Sequence, residues 1–260
     1  MVKCRVCAAE MRSAFRHLVL RKHDVEYFQC GTCGFLQAQT PHWLDEAYSS
    51  AIVSADTGIM QRNVYLAKVA TGVLWRLFRG RGKFLDAAGG YGLFTRLMRD
   101  VGFDYYWSDP HAQNLVARGF EGTAAMGPYA AVSAFEVLEH VVDPIAFLSD
   151  LMRDMQTRTV LISTELYTGA APDPDKWWYY AFDAGQHISF YRRSTLQAIA
   201  DKLGLKLYSG RSIHLWTDRS LPALEFRLMT EPRLAGTLSW PARLRLRSKV
   251  FTDHHLQLKS

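Results

Sequence analysis

Several things this chain does without narrow its reading before any motif is considered. No apolar stretch approaches the roughly 20 residues a helix needs to cross a bilayer, so no membrane span is expected. The amino terminus carries Cys-x-x-Cys and scattered charge where a signal peptide would have an apolar core, which points to a cytoplasmic protein. Cysteine is scarce, four residues in 260 with the last at Cys33, so the body that follows has no cross-link to rely on. No internal repeat appears. What is present, with 48% of residues hydrophobic, suffices for one full α/β core and a small appendage.

Charge is uneven. Lys plus Arg against Asp plus Glu gives 6 against 3 over residues 1–40, 17 against 19 over 41–218 and 8 against 3 over 219–260. The middle is near neutral and the ends are basic. Basic ends suit an acidic partner such as nucleic acid, a nucleotide-linked sugar or a phosphorylated glycan, and equally suit plain solvated surface.

The first chemical signal is Phe84-Leu85-Asp86-Ala87-Ala88-Gly89-Gly90-Tyr91-Gly92-Leu93-Phe94, an apolar strand entering a glycine-rich turn and then an apolar helix. Small residues let backbone amides approach a ligand, and the helix start offers unpaired N–H groups to anionic atoms. A second strand, Tyr105 to Ser108, ends in Asp109-Pro110, about 20 residues beyond the glycines, where a carboxylate can hold a ribose diol. The competing role for Asp109 is to cap a helix over His111 to Val116. Two further absences sort the cofactor. Thr95 stands where GxGxxG requires its third small residue, and no GxxxxGK[ST] loop exists, so neither a dinucleotide nor a phosphate cradle is written here.

The run Asp86-Ala87-Ala88-Gly89-Gly90-Tyr91-Gly92 resembles motif I of the class I S-adenosylmethionine-dependent methyltransferases, DxGxGxG, with Ala88 in place of the first glycine. The run Ala131 to Pro144, containing Phe135-Glu136-Val137-Leu138-Glu139-His140, resembles the fourth strand and following turn of that family, which border the donor. The resemblance is strong from Lys83 to Leu166 and extends more loosely to bacterial enzymes with an amino-terminal zinc segment, some acting on sugars. It implies a doubly wound, Rossmann-like seven-stranded α/β sheet and S-adenosylmethionine as cofactor. Carried over by position, the donor would meet Asp86, Ala88, Gly89, Gly90, Gly92, Asp109, Pro110, Phe135 and Glu136.

Cys4-x-x-Cys7 and Cys30-x-x-Cys33 are separated by 22 residues, and two such knuckles can complete a tetrahedral four-thiolate zinc site. A redox pair would want a βαβ setting that is missing here. With four protein ligands no position stays open for water, so the zinc would be structural, in a ribbon whose strands read as Ala14 to Leu20 and Val25 to Phe28. The expected organisation is a zinc-ribbon-like module over 1–40, a linker and leading helix over 41–82, the methyltransferase domain over 83–218 and a basic arm over 219–260. In the leading helix and linker, Tyr48, Arg62 and Asn63 could reach the cofactor, although solvated or core-edge places suit them better. Ser194 is expected to cap a helix running to Leu203.

The acceptor side is sought beyond the strand Val160 to Thr164, where Pro172 to Tyr191 is too aromatic for an ordinary loop. Those rings, Trp177 and Trp178 among them, form either a wall for a small ligand or a satellite hydrophobic cluster. Gly185-Gln186-His187-Ile188-Ser189-Phe190-Tyr191 is similar to a histidine-containing stretch that faces the acceptor in related sugar methyltransferases. His187 is therefore the candidate general base. His140 is the competing candidate, better suited to a structural hydrogen bond with its turn. The function expected is methyl transfer to a small polar acceptor, with carbohydrate as one class. RNA methylation, with the zinc module and basic arm gripping phosphates, and a noncatalytic binding protein on the same fold are the alternatives.

Overall fold

A computed structural model describes residues 2–48 and 57–259. The linker expected after Pro41 falls partly on residues outside these ranges.

Chain order gives β1 (Met11–Val19), β2 (His23–Cys30), β3 (Leu36–Ala38), α1 (Leu44–Ala47), α2 (Ile59–Phe78), β4 (Lys83–Ala87), α3 (Leu93–Val101), β5 (Asp104–Ser108) and β6 (Tyr129–Phe135). Then follow α4 (Pro144–Asp154), β7 (Thr159–Ser163), β8 (Ser189–Phe190), α5 (Arg193–Leu203), β9 (Lys206–Ser209), β10 (Ile213–Thr217), α6 (Ala223–Met229), α7 (Pro232–Arg245) and α8 (Val250–Gln257).

The main sheet has the order β5-β4-β6-β7-β10-β9, parallel through β7, with β10 antiparallel to both of its neighbours. Each strand alternates its side chains between two helical layers. On one face Phe84, Tyr105, Leu161, Ile213 and Leu215 pack under α2, α3, α6 and α7. On the other Ala134, Val160, Ile162 and Trp216 pack under α4 and α5. The sheet is α/β and doubly wound, as expected, but among the described residues it has six strands rather than seven. At the β5 edge the seventh is reduced to one bridge, Trp107 to Glu121, held by Trp107 N–H to the Phe120 carbonyl and Gly122 N–H to the Trp107 carbonyl. Gly119, at φ +82°, and Gly122 flank it, and glycine weakens strand extension.

The amino-terminal residues do not fold apart from this body. Their sheet has the order β1-β2-β3-β8, so its last strand comes from residues 189–190. Cys4, Cys30, Cys33 and Phe35 share a core with Leu138, Leu196 and Tyr191. Ser194 is not the cap of α5; Arg192 is, and the Ser194 and Thr195 hydroxyls donate instead to the Cys33 carbonyl at 2.8 and 2.9 Å. The carboxyl-terminal stretch, whose mixture of Arg and Leu suits a helix or an extended arm, folds as the helices α6, α7 and α8. Its Asp253 is buried, accepting from Arg99 Nε at 2.7 Å and from Arg96 Nη2 at 2.8 Å.

Candidate active site

A cleft of about 970 Å³ opens at the carboxyl ends of β4, β5, β6 and β7. Asp86, Ala88, Gly89, Gly90, Asp109, Pro110, Phe135, Glu136, His140 and His187 all line it. Gly92 does not. It starts α3 at φ +86°, and a Cβ there would lie 2.7 Å from Asn114 Oδ1, so its role is the turn itself.

One part of the lining is mostly backbone. Ala88 and Gly89 donate N–H to the Ser108 carbonyl at 2.8 and 3.2 Å, and Gly90 donates to Asp109 Oδ2 at 2.9 Å. Asp109 Oδ1 accepts from His111 and Ala112 N–H at 2.8 and 3.0 Å. The segment 111–116 is not helical, so Asp109 caps a turn rather than the expected helix. The Trp107 indole donates to the Gly90 carbonyl at 2.9 Å and fills the space beside Gly89, where an added Cβ would lie 2.4 Å from the ring. Ala88 sits at φ +122°, a conformation that disfavours any side chain. Beneath the loop Asp86 is buried, accepting from Ser133 Oγ at 2.8 Å, and burial pushes its carboxyl up to about 7.

The other part is mostly side chains. Glu136, also at positive φ, accepts from Ser163 Oγ at 2.5 Å, and its other oxygen lies 3.9 Å from Arg62 Nε. His140 and His187 meet edge to face with ring centres 4.9 Å apart. His187 Nδ1 and the Tyr179 carbonyl are 2.6 Å apart, so the ring donates from Nδ1 and keeps its lone pair on Nε2. Burial pulls His187 down to about 4 and His140, with His187 beside it, down to about 3, so both are neutral at pH 7. Glu139 is fully buried behind them and accepts from the Tyr179 hydroxyl at 2.8 Å, and burial raises its carboxyl to about 8.

The aromatic segment divides between its two readings. Trp177, Tyr180 and Phe190 belong to a cluster with Tyr27 and Trp43 that ties the loop to the amino-terminal sheet. Trp178, 74% exposed, lines the cleft.

A family model described as a methyltransferase domain matches residues 60–209, more than half of the chain. The chain belongs to the methyltransferase-domain family. Several solved structures are similar to it. Magnesium protoporphyrin IX methyltransferase from Synechocystis PCC 6803, with bound SAH, is 16% identical, with 66% of this chain and 90% of that one covered at a TM-score of 0.41. TnmH is 20% identical, with 68% and 60% covered at 0.49. CalO1, a methyltransferase in calicheamicin biosynthesis in its SAH-bound form, is 14% identical, with 59% and 54% covered at 0.40. The methyltransferase thus spans little more than half the length of the last two chains. No curated protein matches it.

Away from the cleft, the methyltransferase brings its four cysteine sulfurs within 4.8 Å of one another. Cys4 to Cys33 is 3.6 Å and Cys7 to Cys30 is 3.4 Å, near the ~3.8 Å between sulfurs of a tetrahedron with ~2.3 Å metal bonds. Cys7 N–H points to Cys4 Sγ and Cys33 N–H to Cys30 Sγ, each at 3.5 Å, as in a metal knuckle. The set fits one thiophilic ion. Among the described residues no helix is long and apolar enough to cross a membrane.

Tyr48, Arg62 and Asn63, whose sequence setting suits solvated or core-edge places better, all line the cleft. Tyr48 packs its ring against His111 and His140, with centres 5.9 and 6.2 Å away. Glu139 lies in the run Ala131 to Pro144 but outside the site residues expected from it. Its signal was available, an acid beside a histidine just past a buried strand.

Proposed function

We propose that this methyltransferase transfers the methyl group of S-adenosylmethionine to a hydroxyl of a small polar acceptor, carbohydrate being the class that suits an aromatic and imidazole-lined opening. The observation that carries the reading is the single cleft, lined on one side by the Gly89–Gly90 backbone and Asp109 and on the other by His140, His187 and Trp178. On this reading the donor's ribose meets Asp109, which retains about one lone pair beyond its three N–H partners, and its methionine end lies over Ala88 and Gly89.

Methyl transfer is an in-line displacement at a carbon activated by positive sulfur, so alignment and exclusion of water make up much of the enzyme's work. Phe135, Trp178 and Tyr48 would dry the reacting atoms. His187 would present Nε2 to the acceptor hydroxyl as hydrogen-bond acceptor and base. Because burial holds that imidazole near 4, it orients the hydroxyl more effectively than it removes the proton. Zinc held by Cys4, Cys7, Cys30 and Cys33 would be structural, linking the amino-terminal sheet to α5.

Calorimetry of S-adenosylmethionine binding tests the donor assignment. Asp109→Ala is expected to weaken binding at least about tenfold, through loss of a charge-assisted bond and release of the Gly90 amide. Unchanged affinity would reject the pocket.

A further inference from the structure

We infer that Glu139, His140 and His187 form a divalent-cation site that holds the acceptor's hydroxyl oxygen. The inference rests on the proposed function, since it assigns the acceptor's oxygen to the same cleft. One ligand atom from each residue falls within 4.8 Å of the others. Each residue has one polar atom already engaged and one lone pair left. Glu139 Oε1 accepts from the Tyr179 hydroxyl at 2.8 Å, while Oε2 has no partner. His140 bonds the Gln186 backbone, while its Nδ1, buried, has no partner. His187 engages the Tyr179 carbonyl through Nδ1, which leaves Nε2.

Metal-binding histidines are held in this way, with the far nitrogen donating to a carbonyl so that tautomer and ring direction are set in advance. Tyr179 supports two of the three ligands, its hydroxyl holding Glu139 and its carbonyl holding His187. A carboxyl oxygen with no hydrogen-bond partner, on a side chain 0% exposed, is costly to bury, and a cation that displaces the carboxyl proton removes that cost. The two imidazoles and one carboxylate suit Mn²⁺, Fe²⁺, Co²⁺ or Zn²⁺ rather than a purely oxygen-seeking ion. Three protein ligands leave room for an oxygen from the cleft, whereas the four cysteines leave none.

With the acceptor hydroxyl on the cation, its O–H bond becomes more acidic and the proton passes to solvent. The oxygen then forms the new bond to the methyl carbon as the carbon–sulfur bond breaks, and that electron pair remains on sulfur as a neutral thioether. His187 acts here as a ligand through Nε2 rather than as the base.

The test uses the full chain with its cysteines loaded with zinc, dialysed against excess manganese chloride. Bound metals are counted by elemental analysis, and Mn²⁺ is read by electron paramagnetic resonance. Thiolates do not retain Mn²⁺ against zinc, so the two sites report separately. The expected result is one divalent ion per chain beyond the cysteine-bound one, with Glu139→Gln and His140→Ala weakening Mn²⁺ binding at least tenfold and leaving S-adenosylmethionine affinity within about twofold. Tyr179→Phe removes the hydroxyl that donates to Glu139, and with it the contact to Thr164 Oγ1, but no cation ligand, and should weaken Mn²⁺ about tenfold, a readout that survives if the ligand variants fold poorly. No additional ion in the wild type, or equal binding by Glu139→Gln, overturns the cation site. Mn²⁺ binding without S-adenosylmethionine binding would instead reject the donor reading and leave the cation site standing.

Discussion

On one side of the cleft the polymer backbone itself faces the ligand space. Gly89 and Gly90 donate to the Ser108 carbonyl and the Asp109 carboxylate at the end of the adjacent strand, and the Trp107 indole of that strand donates to the Gly90 carbonyl. On the other side the working groups are side chains gathered from residues 136–140 and 178–187, brought together by Tyr179 and by the pairing of β8 with the amino-terminal sheet. A backbone surface has no rotamers to freeze and tolerates no added atom. A side-chain surface can be retuned one residue at a time, but it depends on whatever holds its loops. The first kind suits a constant donor and the second a variable acceptor.

The harshest way to break the contrast is to add one atom to the backbone side. Gly89→Ala would place a Cβ 2.4 Å from the Trp107 ring, and relieving that clash means breaking the indole bond to the Gly90 carbonyl. Overpacking of this kind costs about 1–3 kcal/mol, so donor affinity measured by calorimetry should fall about 5- to 140-fold. Mn²⁺ binding on the far side should stay as it is. A donor constant within twofold of the wild type would mean that the loop yields freely, and the distinction between the two sides would fail.

A smaller effect, with the opposite signature, is expected from the cysteine cluster. The Cys33 carbonyl accepts the Ser194 and Thr195 hydroxyls at the start of α5, and β3, which follows Cys33, pairs with β8 just after His187. Loosening the knuckle with Cys33→Ser should therefore displace His187 rather than the glycine loop. Since small misplacements of reacting groups are costly, kcat should drop about tenfold while donor affinity changes less than about threefold. An equal loss in both would show that the cluster merely stabilises the whole fold.

The same division explains what could be read from the sequence. Strand, glycine turn, helix and the acid after the next strand are local and ordered along the chain, so Asp86, Gly90 and Asp109 could be named from spacing, and they do line one cleft. The side-chain wall is a product of tertiary folding. His187 was named from a short motif, but its neutral state follows from burial and its direction from the Tyr179 carbonyl, and neither leaves a pattern in the chain. The seventh strand, not formed among the described residues, has a local origin instead. One bridge at Glu121 replaces it because glycines bracket the edge run, a detail that alternation of apolar residues does not record. The participation of residues 189–190 in the amino-terminal sheet was equally hidden, since a two-residue strand has no period.

The mildest test concerns Ala88, where this chain departs from its family's glycine. At φ +122° the alanine is held in a region that costs a side-chain-bearing residue about 1–3 kcal/mol. Glycine removes that strain but gains freedom in the unfolded chain worth about 0.4–1 kcal/mol, so Ala88→Gly should stabilise the fold by about 1 kcal/mol net. For a chain of this length that is a rise in Tm of a few degrees, measurable by calorimetry if unfolding is reversible. Donor affinity should hold or improve, because the methyl group that lines the cleft is gone while the Ala88 N–H bond to Ser108 can persist. A fall in Tm would mean that the methyl packs favourably enough to outweigh its backbone strain, and that the backbone side of the cleft uses at least one side chain after all.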